Sequence, residues 1–167
     1  MSIPLRTWAD WIAETRLSEW GQQQSWLVPT SQSIHIIAVS VVFASAVIIS
    51  LRTLGVGSTG RSVRQLVKTF RPWMYGSLVT LLVTGTMQTI IEPLRQFSAT
   101  VFWIKMALII CVVLITTTFV RRVRREPVPR VREQSSTTAK VLAVVSLALW
   151  IAIIFCGRLI GYTYASA

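Results

Sequence analysis

Four apolar segments dominate this sequence and restrict what the chain can fold into. They cover approximately residues 28–51, 72–91, 101–120 and 141–160. A helix of about 20 residues is about 30 Å long, which is the thickness of the hydrocarbon core of a bilayer. Of all residues, 53% are hydrophobic and only 14% are charged, which is too apolar for a soluble domain of this size. The sequence predicts an all-α membrane protein, a four-transmembrane-helix bundle that forms a single domain over residues 1–167.

Basic residues are concentrated in two of the connections between these segments. Residues 52–71 contain five basic residues and no acidic one, and residues 121–140 contain seven basic residues and two glutamates. The other connections are nearly neutral or acidic. The positive-inside rule therefore predicts that loops 52–71 and 121–140 are cytoplasmic and that both termini lie outside, which is the periplasm in the case of a bacterial inner membrane. Because topology accounts for the net charge of +11, we expect no nucleic-acid partner.

Residues 1–26 differ from the apolar segments because tryptophans are interspersed there with charged residues. Trp8, Trp11 and Trp20 are spaced, with Leu5 and Ile12, approximately as one face of a helix. Aromatic side chains favour the boundary between lipid and water. The spacing predicts an N-terminal amphipathic interfacial segment on the outer leaflet. The alternative is a loosely ordered, tryptophan-rich tail.

Ionisable and polar residues recur at one depth inside the apolar segments. His35, the only histidine, lies near the outer end of the first segment, and Lys105 has a similar depth in the third. At 1.5 Å per residue, a layer about 5–10 Å below the outer surface also contains Met87, Gln88, Glu92 and Arg158. Ionisable residues in membrane segments are rare and are functional-site hypotheses by default. We expect these six residues to line a cofactor site.

The charges in this layer are unbalanced. Lys105 and Arg158 have a single nearby acid, and an unpaired buried cation is costly. Either the acidic N-terminal segment folds over the layer, or a bound anion supplies the missing charge. Haem b fits the second case if His35 is the metal ligand and the two cations contact the propionates, with Met87 or Met106 as sixth ligand. The alternatives are a hydrogen bond between helices for His35, snorkelling of the two cations to the interface, and packing roles for the methionines.

Helical spacing also predicts which faces point inward. On the second segment, a semi-polar stripe should turn away from lipid; it consists of Ser77, Leu81, Thr84, Gln88 and Glu92. On the first segment, His35 shares a face with Ala38, Val42, Ser45 and Ile49. The small residues of this face would let a flat ligand or another helix approach. Cys111 and Cys156 have neither the spacing nor the second histidine of a zinc site.

Three blocks of sequence carry a family resemblance. They are Trp26-x-x-Pro29 leading to Ile34-His35-Ile36 and Leu51-Arg52-x-x-Gly55; Pro72-Trp73-x-x-Gly76 through Thr84-Gly85; and Glu92-Pro93 leading to Phe102-Trp103-x-Lys105-Met106. Together they resemble an uncharacterised family of four-helix bacterial membrane proteins. More distantly, the chain is similar to HemJ-type protoporphyrinogen oxidases and to the CopD-type membrane domain. The HemJ resemblance implies haem b at His35, with Arg52 and Lys105 at comparable places.

The same resemblance has a clear limit. HemJ-type proteins usually carry further histidines and a Trp-rich motif after the first one, where this chain has Val41-Val42-Phe43. The sequence therefore favours a haem b-binding electron-transfer or redox subunit without catalytic activity of its own, working with a periplasmic or quinone-linked partner. The alternatives are a membrane protein that handles copper or another small solute, and a structural or assembly subunit. A homodimer remains open.

Overall fold

The computed structural model describes residues 3–56, 62–125 and 137–163, and the side chains of 6–56, 62–121 and 137–162. All of the regular structure in these residues is helical. The helices are α1 (Ile3–Ala13), α2 (Arg16–Gln23), α3 (Leu27–Thr53), α4 (Val63–Ile91), α5 (Pro93–Ser98), α6 (Thr100–Arg125) and α7 (Thr137–Thr163). Four of them, α3, α4, α6 and α7, are long and apolar enough to cross a membrane. The predicted fold class is confirmed. Parts of both basic loops, 57–61 and 126–136, lie outside the described residues.

The ends of α3 and α4 follow from local sequence signals. Helix α3 ends where Gly55 adopts a positive φ of 86°, with backbone bonds from Gly55 N to Arg52 O and from Val56 N to Leu51 O. This is the Schellman arrangement that satisfies the last carbonyls of a helix. Helix α4 begins with a capping box in which Ser62 and Gln65 each bond the other's backbone N–H. Therefore α4 begins before Pro72, where the apolar segment starts, and Pro72 lies inside it.

The four long helices pack as two antiparallel pairs. The most extensive contacts are between α3 and α4 and between α6 and α7, and the pairs are joined mainly through α3 and α7. Helices α4 and α6 have little contact, which leaves a cleft between them. The core contains Val42, Ala46, Val112, Trp150 and Ile153. We call the end with Arg52, Arg71, Arg121 and Lys140 the basic end.

Large apolar side chains cover the outside of the bundle. Ile37, Val83, Ile110 and Phe155, one from each long helix, are 60–66% exposed. Soluble monomers rarely expose apolar surface on every side, whereas hydrocarbon is a good solvent for it. The distribution of side chains therefore supports a membrane location independently of helix length.

The N-terminal segment forms two short helices at the end of the bundle opposite the basic end. Helix α1 packs on α5, and α2 packs on α4. Trp8, Trp11 and Trp20 are 53–64% exposed, whereas Ala9 and Ser18 are fully buried. The segment is thus helical with an exposed aromatic face, as its spacing predicts. We call this end the tryptophan end.

Candidate functional site

A contact between α3 and α4 holds the only histidine. Nδ1 of His35 lies 2.7 Å from Oγ1 of Thr84. Ala38 and Val42 on the His35 face of α3 are buried, as are Ser77 and Thr84 on the stripe of α4. The predicted faces therefore meet each other, because extensive packing joins these two helices.

The hydrogen bonds of Thr84 determine which nitrogen of His35 carries the proton. Oγ1 of Thr84 donates to the carbonyl oxygen of Thr80 at 2.7 Å. A hydroxyl has one proton, so Oγ1 accepts from the histidine, and Nδ1 of His35 is the donor. A neutral imidazole has only one N–H, which leaves Nε2 with a free lone pair. With the hydroxyl proton of Thr84 directed at Thr80, His35 is assigned the tautomer whose Nε2 can accept a hydrogen bond or ligate a metal.

A second polar contact lies one helical turn away. Nε2 of Gln88 donates to Oγ of Ser31 at 3.4 Å. Ser31 precedes His35 by four residues and Gln88 follows Thr84 by four, so the two pairs lie on the same side of each helix. We call these four residues the polar seam. Gln22 extends the polar contacts toward the tryptophan end by donating to the carbonyl oxygen of Ile91 at 3.0 Å.

Lys105 approaches the seam from α6. Its ammonium is within electrostatic range of His35 and of Cys156. Nζ lies 3.4 Å from the position that a Cβ on Gly157 would take, so the absence of a side chain there makes room for it. On α4, a Cβ on Gly85 would lie 3.7 Å from Cε1 of His35, so the glycine leaves space beside the imidazole ring. Within the described side chains, no hydrogen bond or ion pair is formed by Lys105.

The other predicted site residues have different surroundings. Arg158 is exposed, donates to the hydroxyl of Tyr162 at 3.0 Å and lies over its ring. Glu92 forms an ion pair of 2.6 Å with Arg95, one turn away. Met87 lines an apolar groove between α2 and α4 together with Trp20 and other residues. Met106 is 41% exposed. Of the predicted site residues, His35 and Lys105 therefore lie within electrostatic range of each other, and Gln88 lies one helical turn from Thr84, the partner of His35.

Sequence reasoning did not identify two partners in this site. Thr84 was expected on an inward stripe, but not as the partner of His35, and Ser31 was not singled out at all. The sequence does contain a signal for these contacts. Two polar residues four positions apart occur on each helix, Ser31 and His35 on α3 and Thr84 and Gln88 on α4. Matching such pairs across neighbouring membrane helices would have predicted the polar seam.

Comparison with protein families connects these features to other sequences. Residues 9–163 match the family described as "family of unknown function (DUF6644)", which covers all four long helices. The chain belongs to the DUF6644 family. The match confirms the predicted relationship to an uncharacterised family. No curated protein and no solved structure matches this DUF6644 member. These comparisons give no support to similarity with HemJ-type or CopD-type proteins, and the family description assigns no function.

Proposed function

We propose that this DUF6644 member binds haem b through His35 and acts as a redox or electron-transfer subunit in a bacterial inner membrane. The observation that carries the proposal is the contact between His35 and Thr84, which leaves Nε2 of His35 with a free lone pair. Histidine ligands of metals almost always donate their other N–H to an acceptor that fixes the ring. Thr84 has this role here. Bound haem would supply one-electron chemistry.

The charge of Lys105 supports an anionic ligand at the same place. Its ammonium is near His35 and has no carboxylate partner among the described side chains. Lys105 is partly buried, and a cation without a partner is costly inside a membrane, so a propionate would supply the missing charge. In this proposal Lys105 binds a carboxylate of the ligand, and Gly157 gives its ammonium the room to do so.

The number of available ligands favours haem over a bare metal ion. Among the described residues, no group of three or more His, Cys, Asp and Glu side chains could hold a metal ion. Copper sites need several clustered ligands. A porphyrin would itself supply most of the ligands of its iron, so a single histidine from the protein could hold the group. One histidine with a fixed ring is therefore a poor copper site and an adequate haem site.

The other residues predicted for the site are not proposed as ligands, because each of them has different contacts in the structure. Met87 would have to leave the groove beside α2 to reach a metal at His35, and Arg158 would have to leave Tyr162 to reach a propionate. Gln88 and Glu92 already have partners in Ser31 and Arg95. We therefore propose His35 as the residue of this chain that would hold the iron. A second histidine would have to come from another chain, either a second copy or a partner protein.

Absorption spectra of the purified protein, oxidised and then reduced with dithionite, test the proposal. We expect a Soret band in protein expressed with an adequate haem supply. The band should be absent from His35→Ala, weakened in Lys105→Met, and unchanged in Ser40→Ala, because Ser40 bonds only its own helix at Ile36. Lack of the band in the wild-type protein, or its persistence in His35→Ala, would overturn the assignment.

A structural role is the second candidate function, because the contact between His35 and Thr84 by itself joins two membrane helices. In that case His35→Gln, which keeps an N–H donor, should preserve stability and assembly, and the purified protein should lack bound haem. Stability measured on the same samples as the spectra separates the two functions. If His35 binds haem, the absorption spectrum of His35→Gln should differ from that of the wild-type protein even where the variant is stably folded.

We also infer that the basic end faces the cytoplasm, because positively charged residues flank that end of the membrane helices. Single cysteines introduced at Ser62 and at Gln23 into a chain without Cys111 and Cys156 test this orientation. A membrane-impermeant maleimide should label the cysteine at position 23 in intact spheroplasts, and the cysteine at position 62 only after lysis. The reverse labelling pattern would show that the basic end faces outward and that the proposed orientation is wrong.

A further inference from the structure

A second site lies in the opposite half of the bundle from His35. A cleft of about 280 Å³ opens between α4 and α6, where these helices have little contact. Leu78 of α4 and Val113 of α6 form its apolar walls, and the core residues Ala46 of α3 and Trp150 of α7 close its inner side. None of the residues of the polar seam lines it.

The mouth of this cleft is positively charged. Arg71 of α4 and Arg121 of α6 line the cleft at the basic end, and both are exposed. The guanidinium of Arg71 lies 5.5 Å from the ring centre of Tyr75, which holds it over the opening by a cation–π contact. Neither arginine forms an ion pair with a carboxylate of the described residues. Two guanidinium groups, from two different helices, therefore line the same cleft without a carboxylate partner among the described residues.

The length of the apolar part matches one leaflet. From Arg121 to Val113 the cleft follows eight residues of α6, which is about 12 Å at 1.5 Å per residue. This is nearly half of the hydrocarbon thickness of about 30 Å. A molecule with an anionic head at the membrane surface and an apolar tail reaching toward the middle of the bilayer has the matching distribution of charge and length.

We propose that this cleft binds an anionic phospholipid. Its phosphate lies between Arg71 and Arg121, and one acyl chain lies between α4 and α6. Arginine is suited to this role because its planar guanidinium offers paired donors to phosphate oxygens. Basic pockets between membrane helices are a recurrent type of binding site for acidic lipid head groups. The occupant also completes the bundle, because it fills the space that α4 and α6 leave open.

Lipid titration of the purified full-length protein, followed by native mass spectrometry, tests the charged part of the site. We expect phosphatidylglycerol to bind more tightly than phosphatidylcholine. The double variant Arg71→Gln/Arg121→Gln should weaken phosphatidylglycerol binding about fivefold for each arginine removed. The matched control is Arg64→Gln/Lys68→Gln, which removes two exposed charges of the same end that do not line the cleft. Equal losses in both double variants would overturn the proposal.

A second pair of variants tests the acyl-chain part. Thr116 lines the cleft and Thr118, on the same helix, does not. Thr116→Leu should reduce phosphatidylglycerol binding severalfold, whereas Thr118→Leu should not change it. If Thr116→Leu fails to fold, Ser146→Leu fills the same cleft from α7. Inorganic phosphate distinguishes the source of the anion: if it displaces the lipid fully and the leucine variants bind normally, the site holds phosphate alone and the lipid proposal is wrong.

Discussion

Nζ of Lys105 lies 3.4 Å from the point that a Cβ on Gly157 would occupy, so the missing side chain of one helix creates the place for the charge of another. Gly161, one turn further along α7, has no atom within 4 Å of the corresponding point. A side chain added at Gly157 would therefore meet Lys105, whereas one added at Gly161 would meet no other residue. A substitution at Gly161 is for this reason a matched control for the same substitution at Gly157.

Gly157→Val should displace the ammonium of Lys105, because the added methyl groups extend into its position. We expect the free energy of unfolding in detergent to fall by about 1–2 kcal/mol relative to Gly161→Val, which is within the range for overpacked sites. Titration with SDS in mixed micelles measures this difference. The fraction of bound haem should fall in the same variant. Equal stability of the two variants would show that Lys105 does not occupy this place.

The hydrogen bond between His35 and Thr84 should appear as a coupling energy. Thr84→Val keeps the shape of the side chain and removes the acceptor of Nδ1. In a double-mutant cycle with His35→Ala, we expect a coupling of about 0.6 kcal/mol, with about 1.7 kcal/mol as the upper end for hydrogen bonds between membrane helices. Thr80→Val is the control, since the hydroxyl of Thr80 bonds its own helix at Gly76. A coupling with Thr80 as large as that with Thr84 would contradict the assignment.

The four long helices could be predicted from the sequence because lipid imposes a simple requirement. Each run of apolar residues has to be long enough to cross the bilayer and must satisfy its backbone internally, which only a helix of this length achieves. The start of α4 was not predicted, because hydropathy reports contact with lipid and not hydrogen bonding. Ser62 and Gln65 carry the signal that begins this helix, and it lies outside the apolar segment.

The sequence predicts the level of the candidate site along the helices, but it predicts only some of the contacts between its side chains. Counting residues along each helix places His35 and Lys105 at one level, and the two side chains are within electrostatic range of each other. Counting does not give the rotation of a helix or the choice of side-chain partners. Arg158 has an aromatic hydroxyl four residues away in Tyr162, and this local contact competes with a distant one. Met87 faces a groove that exists only because α2 folds back onto α4.

The ion pair between Glu92 and Arg95 should contribute little to stability or ligand binding. Both side chains are partly exposed and lie three residues apart, and such pairs typically contribute about 0–1 kcal/mol. We expect Glu92→Gln to change the free energy of unfolding by less than about 0.5 kcal/mol and to leave the spectrum intact. Spectra and SDS titration of this variant check both expectations. A loss of bound haem in Glu92→Gln would show that Glu92 takes part in the proposed haem site.

The absence of a side chain at Gly21 should favour the docking of α2 on α4. A Cβ at this position would lie 2.8 Å from Cγ1 of Ile91, closer than carbon atoms approach each other without displacement. Gly21→Ala should therefore loosen α2 and speed hydrogen exchange of its backbone amides, measured by mass spectrometry in detergent micelles. Gly76→Ala should have no such effect, because nothing lies within 4 Å of its Cβ position. Adding Ile91→Ala to Gly21→Ala should restore slow exchange, since it removes the obstructing atoms. Exchange that stays slow in Gly21→Ala alone would show that α2 does not pack against Ile91.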